Sequence, residues 1–209
     1  MRVDKVIAKA AVSTFAAIVA LCAFLLAALC LGFPSTMMKL TYDLGLDGLS
    51  VKFASTAYSR SQKSVYYIAY ATEVAIGADD YENVVKCGKA FIADEEFATY
   101  AKERNAALVD EGVGTYEQYV YGKICVAEYL LGEKESALTD AAAYLGAGFP
   151  TGNALTALLV ETIKADDKET AAAVLSVLQE IETRIETLPE EEARGLAGLI
   201  SAARDWING

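Results

Sequence analysis

This 209-residue chain contains no histidine. That absence removes the commonest general base, the usual zinc ligand and every Ser-His or Cys-His nucleophile pair. Cysteine is scarce: Cys22, Cys30, Cys87 and Cys125 lie far apart, form no CxxC pair and suggest no disulfide framework. They sit among apolar residues and read as small thiols without a chemical task. Proline occurs only at Pro34, Pro150 and Pro189, each at an apparent element boundary. No stretch alternates as a strand would. The glycine-rich 146–152, GAGFPTG, lacks the lysine and the preceding strand of a phosphate loop. Basic residues are outnumbered, 18 against 29 acidic, and residues 10–209 carry a net charge of −13. Such a domain repels phosphate backbones, so nucleic acid is not an expected partner, and the same charge opposes flat docking on anionic lipid.

What the chain does have is 29 uncharged residues in a row, Ala10 to Met38, bounded by Lys9 and Lys39. As a helix this run would extend roughly 43 Å, against about 30 Å for a hydrocarbon core. Only a helix satisfies its own backbone groups in lipid, so a single transmembrane helix is expected over 10–33. The run exceeds the apolar region of a cleaved signal peptide, and the best small-x-small site, Ala28-Leu29-Cys30, is mediocre, so the segment is expected to stay. Leu21 and Leu29 precede Cys22 and Cys30 where a lipoprotein box needs a small residue, and Asp4 among Arg2, Lys5 and Lys9 argues against a mitochondrial presequence. These three cations on the amino side, against Lys39 alone close by on the other, predict a single-pass protein of the cell membrane. Its N-terminus (1–9) would be cytoplasmic and its C-terminal domain outside.

Beyond the span, 34–50 reads as a juxtamembrane connector, with LTYDLGLDGLS at 40–50 as irregular chain. From there the pattern is helical. One helix is predicted over 51–77, with Val65, Ile68, Thr72, Ala75 and Ile76 as its apolar stripe. Others follow over 81–93, from Asp94 to Glu111, and over 115–131, 134–145 and 153–165. The next starts at Asp167 and runs through Ile185 and Leu188, and the last begins behind Pro189. The domain, 51–209, is expected to be all-α.

Within it a spacing recurs. Gly132-Glu133-Lys134-Glu135-Ser136-Ala137-Leu138 is repeated in layout by Asp166-Asp167-Lys168-Glu169-Thr170-Ala171-Ala172, with Ala137 and Ala171 34 residues apart. Asp79-Asp80-Tyr81-Glu82-Asn83-Val84-Val85 matches the same turn 53 residues before Ala137, counted to Val84, with an extra helix inserted between. These segments resemble a degenerate tetratricopeptide repeat. The tryptophan and leucine-glycine of that family's first helix are missing, as is its terminal proline. The resemblance implies stacked helix hairpins whose first helices line a groove for an extended peptide. On this chain that groove would comprise Tyr66, Ala69 and Glu73, then Tyr119, Gly122, Val126 and Tyr129, then Asn153, Thr156 and Val160. Tyrosines beside a gap at Gly122 suit a peptide site, though the same rings would also serve as half-buried core.

The span carries a pattern of its own. Ser13, Ala16, Ala20, Ala23, Ala27 and Cys30 line one face at alternating spacings of three and four, the arrangement by which membrane helices pack closely. That face predicts dimerisation or docking on another membrane subunit. Acidic clusters at Asp79-Asp80, Asp94-Glu95-Glu96, Asp166-Asp167 and Glu190-Glu191-Glu192 sit where helices begin and read as caps, not as metal ligands. No acid, base or nucleophile converges, so neither catalysis nor a cofactor is expected. The sequence therefore predicts a membrane-anchored adaptor or assembly protein that binds a protein partner through its helical surface. The alternative is a structural accessory subunit of a membrane complex, held mainly by its span.

Overall fold

The computed structural model describes residues 2–60, 64–108, 115–145, 154–182 and 190–209, and among them it is helical without a strand. The helices are α1 (Arg2–Gly32), α2 (Pro34–Asp43), α3 (Asp47–Arg60), α4 (Val65–Gly77), α5 (Tyr81–Ile92) and α6 (Phe97–Leu108). They continue as α7 (Tyr116–Leu130), α8 (Lys134–Leu145), α9 (Ala154–Lys164), α10 (Lys168–Glu182) and α11 (Glu190–Asn208).

α1 stands apart. Its stretch Lys9–Gly32 has a mean hydropathy of 2.7 over its most apolar window, and none of that window is buried. It is long and apolar enough to cross a membrane. The helix stops at Gly32 because Pro34 holds Phe33 out of helical geometry (φ −133°, ψ 60°), and Pro34 then opens α2 with its φ already set. The uncharged run is thus two helices, and its uninterrupted part ends well before Met38.

The expected connector over 34–50 is largely helix. Its glycines and aspartates are the chemistry of one tight turn: Gly45 takes φ +70°, and Asp47 begins α3. Behind Gly45, Leu46 N–H reaches back to the Thr41 carbonyl and Gly45 N–H to Tyr42, which closes α2 with two hydrogen bonds. The helix expected over 51–77 is likewise two, since Ser64 (ψ 118°) separates α3 from α4 and the pair packs side by side.

That closing turn recurs three more times. Asp80 N–H bonds to Ala75, Glu133 to Glu128 and Asp167 to Thr162, each around one left-handed residue: Asp79 (φ +52°), Gly132 (+86°) and Asp166 (+55°). Gly45 and Asp79 stand 34 residues apart, and so do Gly132 and Asp166, while 53 separate the inner two. The hairpins α2–α3, α4–α5, α7–α8 and α9–α10 therefore share one turn, and α6 fills the longer interval. Five residues past each left-handed residue the chain is buried, at Ser50, Val84, Ala137 and Ala171. Three of the four, Ser50, Ala137 and Ala171, are small side chains that let the two helices of a hairpin close.

Two of the acidic clusters cap as expected. Asp80 accepts the Asn83 N–H at the start of α5, and Asp167 accepts that of Thr170 at the start of α10. Asp94 takes the Glu96 N–H and the Tyr58 hydroxyl, whose pKa burial and this bond push up to about 12.

Two apolar cores result, and α7 belongs to both. Tyr116, Val120, Ile124 and Ala127 enter the first, built from α2 to α7 around Phe91. Cys125 and Tyr129 enter the second, with Leu155, Leu158, Leu159, Val174, Leu178 and Ile200. The close approach of α5 to α7 depends on Gly88: a methyl group there would lie 2.7 Å from Ile124 Cγ1, a side chain with no exposure. Gly88→Ala should therefore lower stability by about 1–2 kcal/mol, as overpacking outweighs the gain in helix propensity. Gly77→Ala, where nothing lies within 4 Å, should be neutral or stabilising. Thermal melts followed by circular dichroism separate the two.

Candidate functional site

A groove runs between α7 and α9. At its base Gly122 meets Ala157 so closely that a β-carbon on the glycine would lie 3.3 Å from Ala157 Cβ. Gly122 thus brings two helices together and does not leave a gap. Above that contact Gln118, Tyr119, Lys123 and Val126 of α7 face Thr156, Val160 and Glu161 of α9 across a space of about 350 Å³. Past Lys123, Val126 and Glu161 it opens into a second hollow of about 150 Å³ against Ile76 and Tyr81. The floor is apolar and the rim polar. The Lys123 ammonium stands 5.7 Å from the centre of the Tyr119 ring, and Glu161 is paired with Lys164 at 2.6 Å. The Tyr119 ring keeps 40 % of its surface exposed. Such a trough offers apolar contact below and hydrogen bonds at its edges.

Of the residues expected in the groove, the structure brings Tyr119, Gly122, Val126, Thr156 and Val160 together. Asn153 lies outside the described residues, as do 146–152, Ile185 and Leu188. Tyr129 turns inward: it is 7 % exposed and donates its hydroxyl to Asp167 at 3.1 Å. Tyr66 is exposed, but it stacks with Tyr67 and Tyr70 on α4, away from this trough. Glu73 accepts the Tyr116 hydroxyl at 2.7 Å and an Arg104 N–H at 3.3 Å, which ties α4 to α6 and α7. Burial first, and the Glu73 bond second, push the Tyr116 phenol well above its ordinary range. On α1, Ser13, Ala16, Ala20, Ala23 and Ala27 are exposed and Cys30 is half-buried.

A second cluster was not visible in the sequence. Glu128 of α7 has no exposure, and its Oε1 lies 2.5 Å from Lys89 Nζ of α5. The same ammonium contacts Asp140 of α8 at 2.8 Å. Neither Glu128 oxygen receives a well-directed hydrogen bond among the described residues. Burial pushes the Glu128 pKa above the usual carboxylate value of 4.5, with Asp140 adding to the rise and Lys89 opposing it. The nearby Cys125 thiol is pushed up by burial and by these two carboxylates, and burial also raises Cys87, so neither thiol is poised as a nucleophile. Asp167 shows the reverse. Lys134 at 2.6 Å, with Thr170 and Tyr129, holds its pKa well below the ordinary 3.8.

No protein-family model, curated protein or solved structure matches this chain.

Removing the cation from a buried pair leaves a stranded charge. Lys89→Ala should cost about 3 kcal/mol at neutral pH, the low end of the roughly 3–5 kcal/mol for breaking a buried pair, because water reaches the ammonium. Adding Glu128→Gln should restore much of the loss in a double-mutant cycle. The raised Glu128 pKa means that its ionisation opposes folding, so stability falls as pH rises above 4.5. The melting-temperature advantage of Glu128→Gln over the parent should therefore grow between pH 4.5 and 7. Asp167 contributes in the opposite sense: its stabilisation is full above 3.8 and is lost as pH falls below that value.

Proposed function

We propose that this protein is a membrane-anchored adaptor, in which α1 spans the bilayer and a tetratricopeptide-like stack of helix hairpins binds an extended segment of a partner protein in the trough between α7 and α9. The observation that carries this reading is the convergence of Tyr119, Val126, Thr156 and Val160 on one continuous depression lined by the first helices of adjacent hairpins. The equal 34-residue spacings of the left-handed turns support the repeat assignment. Stacked hairpins leave such a curved surface because none can bury its apolar stripe alone. The rim suits a peptide: the Tyr119 ring gives contact area and its hydroxyl can orient a bound chain. Binding rather than catalysis is the function proposed, with the exposed small-residue face of α1 as a second contact in the membrane.

A photo-crosslinking residue at Val160 of the full-length protein, in its own membranes, tests the trough. It should yield a discrete adduct that Val126→Arg abolishes, while the same residue at the exposed Ala172 on α10 yields none. Equal labelling at both positions, or an adduct indifferent to Val126→Arg, would remove the trough from consideration.

A further inference from the structure

Outside α1, ten large apolar side chains are exposed among the described residues, and six of them fall between Phe33 and Leu49. Leu44 is 64 % exposed. The remainder are scattered singly or in pairs, as surface apolar residues usually are. A concentration of this kind on an otherwise well-buried fold marks a surface that something covers.

Charge divides at the same place. Residues 33–60 carry Lys39, Lys52 and Arg60 against Asp43 and Asp47, a net of +1, whereas 61–209 carry 12 basic and 26 acidic residues. The hairpin that follows the span thus lacks the strong net negative charge that the rest of the domain carries as a whole. It is also held at the span: an Arg60 N–H at the end of α3 donates to the Leu31 carbonyl near the end of α1. The 24 residues of Lys9–Gly32 amount to about 36 Å of helix, several ångströms more than a hydrocarbon core of about 30 Å. The carboxyl end of α1, with Phe33 behind it, therefore emerges at headgroup depth.

We infer that the α2–α3 hairpin lies on the bilayer beside the span, with Leu40, Leu44, Leu46 and Leu49 inserted among the headgroups. Lys39 and Lys52, both exposed, extend their charges to the lipid phosphates while their stems stay in the apolar layer. The bilayer is the occupant because the chain leaves it directly into this surface. This inference rests on α1 being a span, and the experiment separates the two.

Trp206 is the only tryptophan, so Trp206→Phe gives a silent background. In that background the full-length protein carries Leu44→Trp, or Leu25→Trp in α1, and is reconstituted into phosphatidylcholine vesicles whose lipids are brominated near the headgroup or deep in the chain. Circular dichroism confirms that each variant is folded. Leu44→Trp should emit to the blue of its value in unfolding denaturant and lose most of its emission to shallow bromines, while Leu25→Trp loses its own to deep ones. Emission from Leu44→Trp that no bromolipid quenches, with Leu25→Trp still quenched, overturns the docking and leaves the span. If neither is quenched, both fall. A blue-shifted Leu44→Trp that is unquenched and changes with protein density overturns it in favour of a second copy on this face.

Discussion

Everything beyond α1 depends on α7 being buried on two sides at once. An ordinary surface helix needs a single apolar stripe, whereas α7 directs Val120, Ile124 and Ala127 to one core and Cys125 and Tyr129 to the other. Were it to rotate, both cores would lose contact together. Burying an aliphatic side chain is worth about 1.5–3 kcal/mol, so a helix serving two cores dominates the packing of the whole domain. Two close helix contacts converge on it, through Gly88 of α5 against Ile124, and through its own Gly122 against Ala157 of α9.

Polar contacts fix the orientation that these apolar faces leave approximate. Glu73 of α4 receives the Tyr116 hydroxyl at one end of α7, and Asp167 receives that of Tyr129 at the other. Between them Glu128 binds Lys89, which also reaches Asp140, so α5, α7 and α8 are joined through one ammonium. Buried ion pairs add little net stability because desolvation offsets attraction, but they penalise any arrangement that separates the partners. The trough along α7 and α9 is thus framed by helices that cannot slide independently.

Most of the helices were legible in the sequence, because apolar periodicity and acidic caps are local signals. Val84, Cys87 and Phe91 turn inward as their spacing indicates, and Asp80 and Asp167 cap as their positions indicate. The turn at Gly45 was less legible. Its hairpin has the polar Ser50 at the closing position, where the other copies have the apolar Val84, Ala137 and Ala171, although it matches them in backbone. Tyr129 shows the limit of residue type as a guide, since a tyrosine three residues before a left-handed turn serves the core as well as a groove. Glu128 had a signal that only alignment of the turns exposes. The equivalent positions four residues before each left-handed residue are Thr41, Ala75 and Thr162, all buried, and a carboxylate among them requires a cation from another helix.

The interval between turns has a structural corollary of its own. With α6 set aside, α2–α5 and α7–α10 are two blocks with the same internal step of 34 residues between turns, joined by a spacer that occurs once. A further hairpin inserted between α10 and α11, with α11 moved to the new end, would continue the second block without disturbing the first. The same hairpin placed at the junction would pull α5 away from α7 and split one molecule into two. The architecture is therefore extensible beneath its last helix and closed at its middle.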